Sequence, residues 1–273
     1  MGPLTTLANY SLIGVDIFML LSAYGLCYSI NKNSIKEFYK RRYSRVVPLY
    51  IILVGVVLTH NLLMGGAKTV DILGASTTLF IWGVGDIFFD WYLTAILYFY
   101  LAFPLFYKAL SKYGLLAYFV LSMAFLSVAW YLPTTWFQNS ALCRVPIFLA
   151  GIQIYVAKRK SIATSLMLSF FFLLTCFSYI TGKVCLTYYM APFVISLLIA
   201  FAYIINKIEK VKAILEYIGK YTLELYVANC LAMKLVPLSS SILGKYMIYY
   251  GVILTLTILF GWINKRIQWI LNA

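Results

Sequence analysis

Charged residues are scarce in this chain. They make up 11% of its 273 residues, against 63% hydrophobic ones. A soluble domain of that composition would have nowhere to put its apolar surface, so the chain reads as a polytopic membrane protein. At about 20 residues per helical span there is room for about nine or ten helices with short loops, and none for a soluble domain. Cysteines are few and scattered: Cys27, Cys143, Cys176, Cys185 and Cys230 lie singly in or beside apolar runs, without CxxC or Cys/His spacing. They read as small lipid- or core-facing residues, and neither a disulfide framework nor a metal site is expected. G-x-S-x-G, Walker A and H-E-x-x-H are all absent, which leaves hydrolase, nucleotide triphosphatase and zincin readings without support. No long internal repeat is present, against an inverted-repeat transporter. The first nine residues lack a positive segment, and the apolar run after them is too long for a cleavable signal peptide.

What is present is a series of apolar runs with basic punctuation. Nine spans are expected, at about 10–30, 46–63, 91–107, 114–132, 142–157, 162–180, 184–205, 221–238 and 247–263. The 76–89 run is shorter, holds two glycines and an Asp, and reads as a re-entrant or interfacial piece. The 207–220 stretch alternates charges with Ile208, Val211, Ile214, Leu215 and Ile218 at helical spacing, as suits a helix on the membrane surface. The tail 268–273, with Trp269, reads as a similar anchor. Pro104, Pro146 and Pro192 fall within spans and are expected to kink them.

A net charge of +14 would suit nucleic acid, but the cations sit at span ends, where they bind anionic lipid and fix topology. No nucleic-acid partner is expected. Threading the 32–45 segment into the cytoplasm carries seventeen of the 22 cations there and makes the C-terminus cytoplasmic. An odd number of spans then leaves Met1 outside with nothing to export it. The expectation is one further helix upstream.

Six cations (Lys32, Lys36, Lys40, Arg41, Arg42 and Arg45) gather between the first two spans. Arg42 and Arg45 form an R-x-x-R whose i, i+3 spacing puts two planar forks on one helix face, suited to the phosphates of a donor such as a coenzyme A thioester. The same cluster also serves as a topogenic, lipid-binding patch. Asp16, inside an apolar span, and Arg144, opening the fifth, are ionisable groups that turn inward in membranes. They are expected to line one cavity and to pair, with a purely structural lock as the alternative. His60 is the single histidine, either a base or an interfacial residue beside a Gly-Gly turn. Trp91, Tyr92, Tyr98 and Tyr100 read as belt aromatics whose faces would also stack on sugar rings.

Four stretches, in this order, resemble the bacterial integral-membrane acyltransferase family 3. They are GVDIFMLLSAYGLCYS (14–29), FYKRRYSRVVPLY (38–50), WYLTAILYFYLAFPLFY (91–107) with RVPIFLAGIQI (144–154), and IGKYTLELYVAN (218–229). The resemblance implies an all-α, polytopic transmembrane helix bundle, here about nine spans where the complete fold has about ten. It implies transfer of an acyl group, acetyl in the first instance, from acyl-CoA to a hydroxyl of a cell-surface or lipid-linked saccharide. Acyl-CoA is then a substrate, and no tightly bound cofactor is expected. It assigns donor binding to Arg42 and Arg45, and cavity or structural roles to Asp16, Arg144 and Trp91.

The family's first helix, with an arginine and the histidine regarded as the catalytic base, would precede Asn9. On this reading residues 1–273 form one membrane-embedded domain, N-terminally incomplete and inactive alone, with a plasma-membrane location. His60 does not occupy the family histidine's position. Ile96 stands where one branch of the family has a Glu, and Asn229 where a histidine is frequent. The alternatives are a non-enzymatic permease or export component for a surface glycan or lipid, and a remnant without activity.

Overall fold

The computed structural model describes residues 13–64, 66, 68–79, 84, 91–131, 141–157, 166, 167, 169, 170, 172, 173, 208–235 and 242–272. Among them the regular elements are all α-helices: α1 (Ile13–Lys32), α2 (Ile35–Leu63), α3 (Thr69–Ser76), α4 (Trp91–Tyr113), α5 (Leu115–Tyr131), α6 (Val145–Val156), α7 (Glu209–Gly219), α8 (Thr222–Leu235) and α9 (Ile242–Asn272). Four are long and apolar enough to cross a membrane, at Gly14–Lys32, Ile35–Leu63, Trp91–Tyr113 and Ile248–Ile270, and α5, α6 and α8 are shorter apolar helices. The protein is an all-α, multi-pass membrane protein. The expected spans at 162–180 and 184–205, the 76–89 run read as re-entrant, save 76–79 and 84, and Pro192 lie outside the described residues, save for short pieces near 170.

The chain divides into two compact units, Met1–Phe38 with Tyr98–Ile204, and Tyr39–Leu97 with Ile205–Ala273. In the first, α1 packs along α6, and α6 along α5. The two backbones come close at Gly151, where an added Cβ would fall on the Leu20 carbonyl oxygen and 2.9 Å from Ala23 Cβ. Only a glycine lets the two backbones meet there, the small-residue packing that membrane helices use in place of a hydrophobic drive. Contacts from Asp16 to Arg144 and from Asn31 to Tyr155 make α1 and α6 parallel. Ser22 to Tyr100 and Asn31 to Tyr107 align α4 with them. A threading in which spans one, three and five cross in the same direction requires this. Phe99 stacks on Phe148 at 4.9 Å, and Phe103 stacks on Phe38 at 5.5 Å, filling the layer between α4, α6 and the start of α2.

Gly114 separates α4 from α5. Its φ of +57° is the left-handed conformation that glycine adopts freely, and its N–H closes on the Leu110 carbonyl at 2.8 Å, a glycine C-cap. The hairpin that results brings Phe106 edge-on to Phe125.

In the second unit α2 is tied to three neighbours. The Tyr43 hydroxyl donates to the Leu97 carbonyl at 3.0 Å, an Arg45 N–H donates to the Lys220 carbonyl at 3.3 Å, and the Tyr50 hydroxyl donates to the Ala75 carbonyl at 2.5 Å. Helices α8 and α9 pack antiparallel, joined by Glu224–Asn264 near one end and Asn229–Tyr249 near the other.

The structure departs from the sequence reading in several places. The six cations do not form a connector between spans: Lys32 ends α1, and Lys36, Lys40, Arg41, Arg42 and Arg45 lie in the first part of α2, continuous with the span and parted from α1 only at Asn33 and Ser34. Pro48 lies inside that helix rather than at its start. Pro146 instead sits in the first turn of α6, where its missing N–H costs nothing, so it starts a helix rather than kinking one. The C-terminal tail through Asn272 is no separate surface helix, because α9 continues through it unbroken. Trp262 and Trp269 are both exposed there, and the Arg266 guanidinium lies 5.6 Å from the Trp262 ring centre. Exposed tryptophans beside a cation in the second half of a candidate span match the composition of a membrane interface.

Candidate functional site

The R-x-x-R side chains sit on α2, one turn apart and both half-buried. Arg45 is positioned by the C-terminal end of α7: its Nη2 donates to the carbonyl oxygen of Lys220, in the connector that leads into α8. One N–H is thereby used, and the rest of the planar fork remains for another acceptor. Tyr39 and Tyr43 stand on the same helix, with ring centres 6.0 Å apart. The next residue of the connector, Tyr221, accepts a hydrogen bond from Lys265 Nζ at 2.9 Å. Arg45, Lys220, Tyr221 and Lys265 thus form one cationic corner, contributed by α2, the α7–α8 connector and α9.

A layer deeper, Glu224 and Asn264 are buried, and the Asn264 amide donates to Glu224 Oε1 at 2.8 Å. This rung lies beside the Tyr221–Lys265 rung and fixes the register of α8 against α9. Buried polar pairs between membrane helices are held because neither group finds water there.

In the first unit, Asp16 and Arg144 are each 0% exposed and form an ion pair, Arg144 Nε to Asp16 Oδ1 at 2.6 Å. Arg144 is the N-cap residue of α6, so the pair bolts the start of α6 to the first turn of α1. In the second unit, Trp91 and Tyr92 open α4, and both are buried rather than displayed in a belt. The physical reason is a partner: the Tyr92 ring meets Tyr226 of α8 edge-on at 4.8 Å, and Trp91 leans on Tyr92 at 6.3 Å. His60 lies in the last turn of α2, where its Nδ1 is 3.5 Å from Asn61 Oδ1.

The model of a family described as an acyltransferase domain matches residues 3–265. The chain belongs to acyltransferase family 3. No curated protein and no solved structure matches it.

In this acyltransferase the family-like stretches occupy defined places. The first is α1 with Asp16, and the second is the basic end of α2 with Arg42 and Arg45. The third covers α4 and α6, and the fourth the α7–α8 junction. At Asn229, where the resemblance leads one to look for histidine, the side chain is held by the Tyr249 hydroxyl, which donates to its Oδ1 at 2.6 Å. Ile96 is buried within α4.

The sequence alone gives no role to Glu224, Asn264, Tyr221 or Lys265. Their signal was weak because Lys265 read as one more topogenic cation, and Tyr221 as one tyrosine among 24. The Asn31 hub was also missed. Its amide lies 2.9 Å from the Tyr107 hydroxyl and 3.1 Å from that of Tyr155, joining the ends of α1, α4 and α6.

Proposed function

We propose that this membrane acyltransferase takes an acyl group, acetyl first among the candidates, from acyl-CoA and transfers it to a hydroxyl of a cell-surface or lipid-linked saccharide. The observation that carries the reading is the pair of half-buried guanidiniums one turn apart on α2, with Arg45 oriented by the Lys220 carbonyl. Two planar forks at that spacing suit the adjacent phosphates of a coenzyme A diphosphate. The acceptor oxygen attacks the thioester carbonyl, the C–S bond breaks, and the ester forms. The hydroxyl proton leaves through a general base, and the coenzyme A thiolate departs and takes up a proton. Asp16 and Arg144 act here as positioning residues: bound to each other away from solvent, they set where α1 and α6 stand. Trp91, packed on Tyr92, belongs to the same supporting role. The expected setting is the plasma membrane, with the basic end of α2 and the C-terminus facing the cytoplasm, where acyl-CoA is found.

The test is calorimetric titration of coenzyme A into the purified chain in phospholipid nanodiscs, beside an R42A/R45A variant. Saturable binding by the native chain, lost in the variant while it remains monodisperse, is expected. A permease would show no coenzyme A binding to lose, and that result would overturn the reading. Saccharide acceptors are then compared by transfer of label from radioactive acetyl-CoA.

A further inference from the structure

Arg45 and Lys265 come from helices far apart in sequence, yet they are anchored to consecutive residues of one connector. The Arg45 guanidinium rests on the carbonyl of Lys220, and the Lys265 ammonium on the hydroxyl of Tyr221. The anchoring of Lys265 is built in. The Tyr221 ring lies against Gly261, one turn before Lys265 on α9, where an added Cβ would come 3.0 Å from Tyr221 Cε1 and 3.1 Å from Cδ1. Gly261 thus leaves room for the ring against α9, within hydrogen-bond reach of Lys265. The Lys265 ammonium stands 5.4 Å from that ring's centre. Its hydrogen-bond partner is the Tyr221 hydroxyl, and the nearby Glu224 is buried and engaged by Asn264. Lys265 is exposed, and an ammonium has three N–H groups, so two remain to point at a ligand.

We propose that Lys265, held by Tyr221, is a third cation of the donor site begun by Arg42 and Arg45, and that it takes the 3′-phosphate of a coenzyme A donor. The inference rests on the donor-binding reading of the R-x-x-R and extends it. The division of labour follows from the side chains. Coenzyme A carries a diphosphate and, set apart from it, one phosphomonoester. Two forks on one helix face match the adjacent phosphates, and a compact point charge on a different element matches the separate one. Tyr221 and Gly261 are positioning residues that place the ammonium.

The experiment uses the full chain in nanodiscs, with coenzyme A and 3′-dephospho-coenzyme A as the two probes. In phosphatidylcholine nanodiscs, K265Q is expected to weaken coenzyme A binding about tenfold, the usual size of one charge-assisted contact. It should leave 3′-dephospho-coenzyme A within about twofold of the native value, and K265R should restore most of the loss. Y221F and G261A should show the same selective loss at smaller size, because they displace the ammonium without removing it. If K265Q binds both probes as the native chain does, or loses both alike, while R42A/R45A still abolishes binding, the role of Lys265 is refuted and the donor reading stands. If R42A/R45A also binds coenzyme A normally, both fall. A third arm repeats the titration with phosphatidylglycerol in the nanodisc. A K265Q effect that appears only there assigns Lys265 to a lipid phosphate and overturns the proposal.

Discussion

Asp16 and Arg144 face each other at 2.6 Å with neither side chain open to solvent, so two charges buried in a membrane bundle meet in one contact between α1 and the start of α6. Removing either one takes away the opposite charge that faces the other in the buried pair. D16N and R144M are each expected to lose about 3–5 kcal/mol of stability. D16L/R144M together should recover much of that loss, because both charges go at once. Thermal unfolding of the three variants in detergent checks it, and a double variant no better than the singles would show that the pair is not the unit that matters.

Gly151 predicts a steric result. A methyl group there falls on the Leu20 carbonyl, and helix backbone cannot yield as a side-chain tip can. G151A should cost about 1–3 kcal/mol by overpacking. Gly25, on the same pair of helices but with open space where its Cβ would be, should accept alanine without loss. The comparison of melting temperatures isolates the crossing from any general effect of glycine in a helix.

Arg45 predicts a chemical one. R45K keeps the charge but loses the planar fork that can bond to the Lys220 carbonyl and to a phosphate at the same time. Coenzyme A affinity is expected to fall about tenfold, with melting temperature unchanged because the side chain is half-exposed. A lysine that binds as well as the arginine would mean that only net charge counts at this corner.

Asn31 is expected to matter locally. N31A removes an amide lying between Tyr107 and Tyr155, and water can replace it at an exposed position, so global stability should fall by about 0.5–1.5 kcal/mol. Hydrogen exchange should speed up at the ends of α1, α4 and α6, and not in α8 or α9.

The helices were legible where composition alone sets them. Continuous apolar length announced α1, α4, α5, α6, α8 and α9, and the spacing of Ile208, Val211, Ile214 and Ile218 announced α7, where these side chains are exposed. Boundaries were less legible. A run of Lys and Arg lowers hydropathy without breaking a helix, so α2 starts well before its apolar stretch. Proline was read by identity, whereas its effect depends on position: Pro146 opens α6 and Pro48 lies within α2. Asp16 and Arg144 were legible because an ionisable residue in a membrane span must find a partner. Tyr221, Gly261 and Lys265 were not, because each is ordinary in type. What distinguishes them is which connector residue lies next to which helix face.

Pro48 lies three residues beyond Arg45 and has no N–H to give the Ser44 carbonyl, so α2 lacks one backbone rung between its cationic head and its apolar shaft. On the head side, Tyr43 and Arg45 are pinned to Leu97 and Lys220, and on the shaft side Tyr50 is pinned to Ala75. Ile51, just past Pro48, is 62% exposed, as suits a shaft that meets lipid. If the apolar part of α2 tilts with bilayer thickness, the bend is expected at Pro48, and the arginines are expected to stay where the connector holds them.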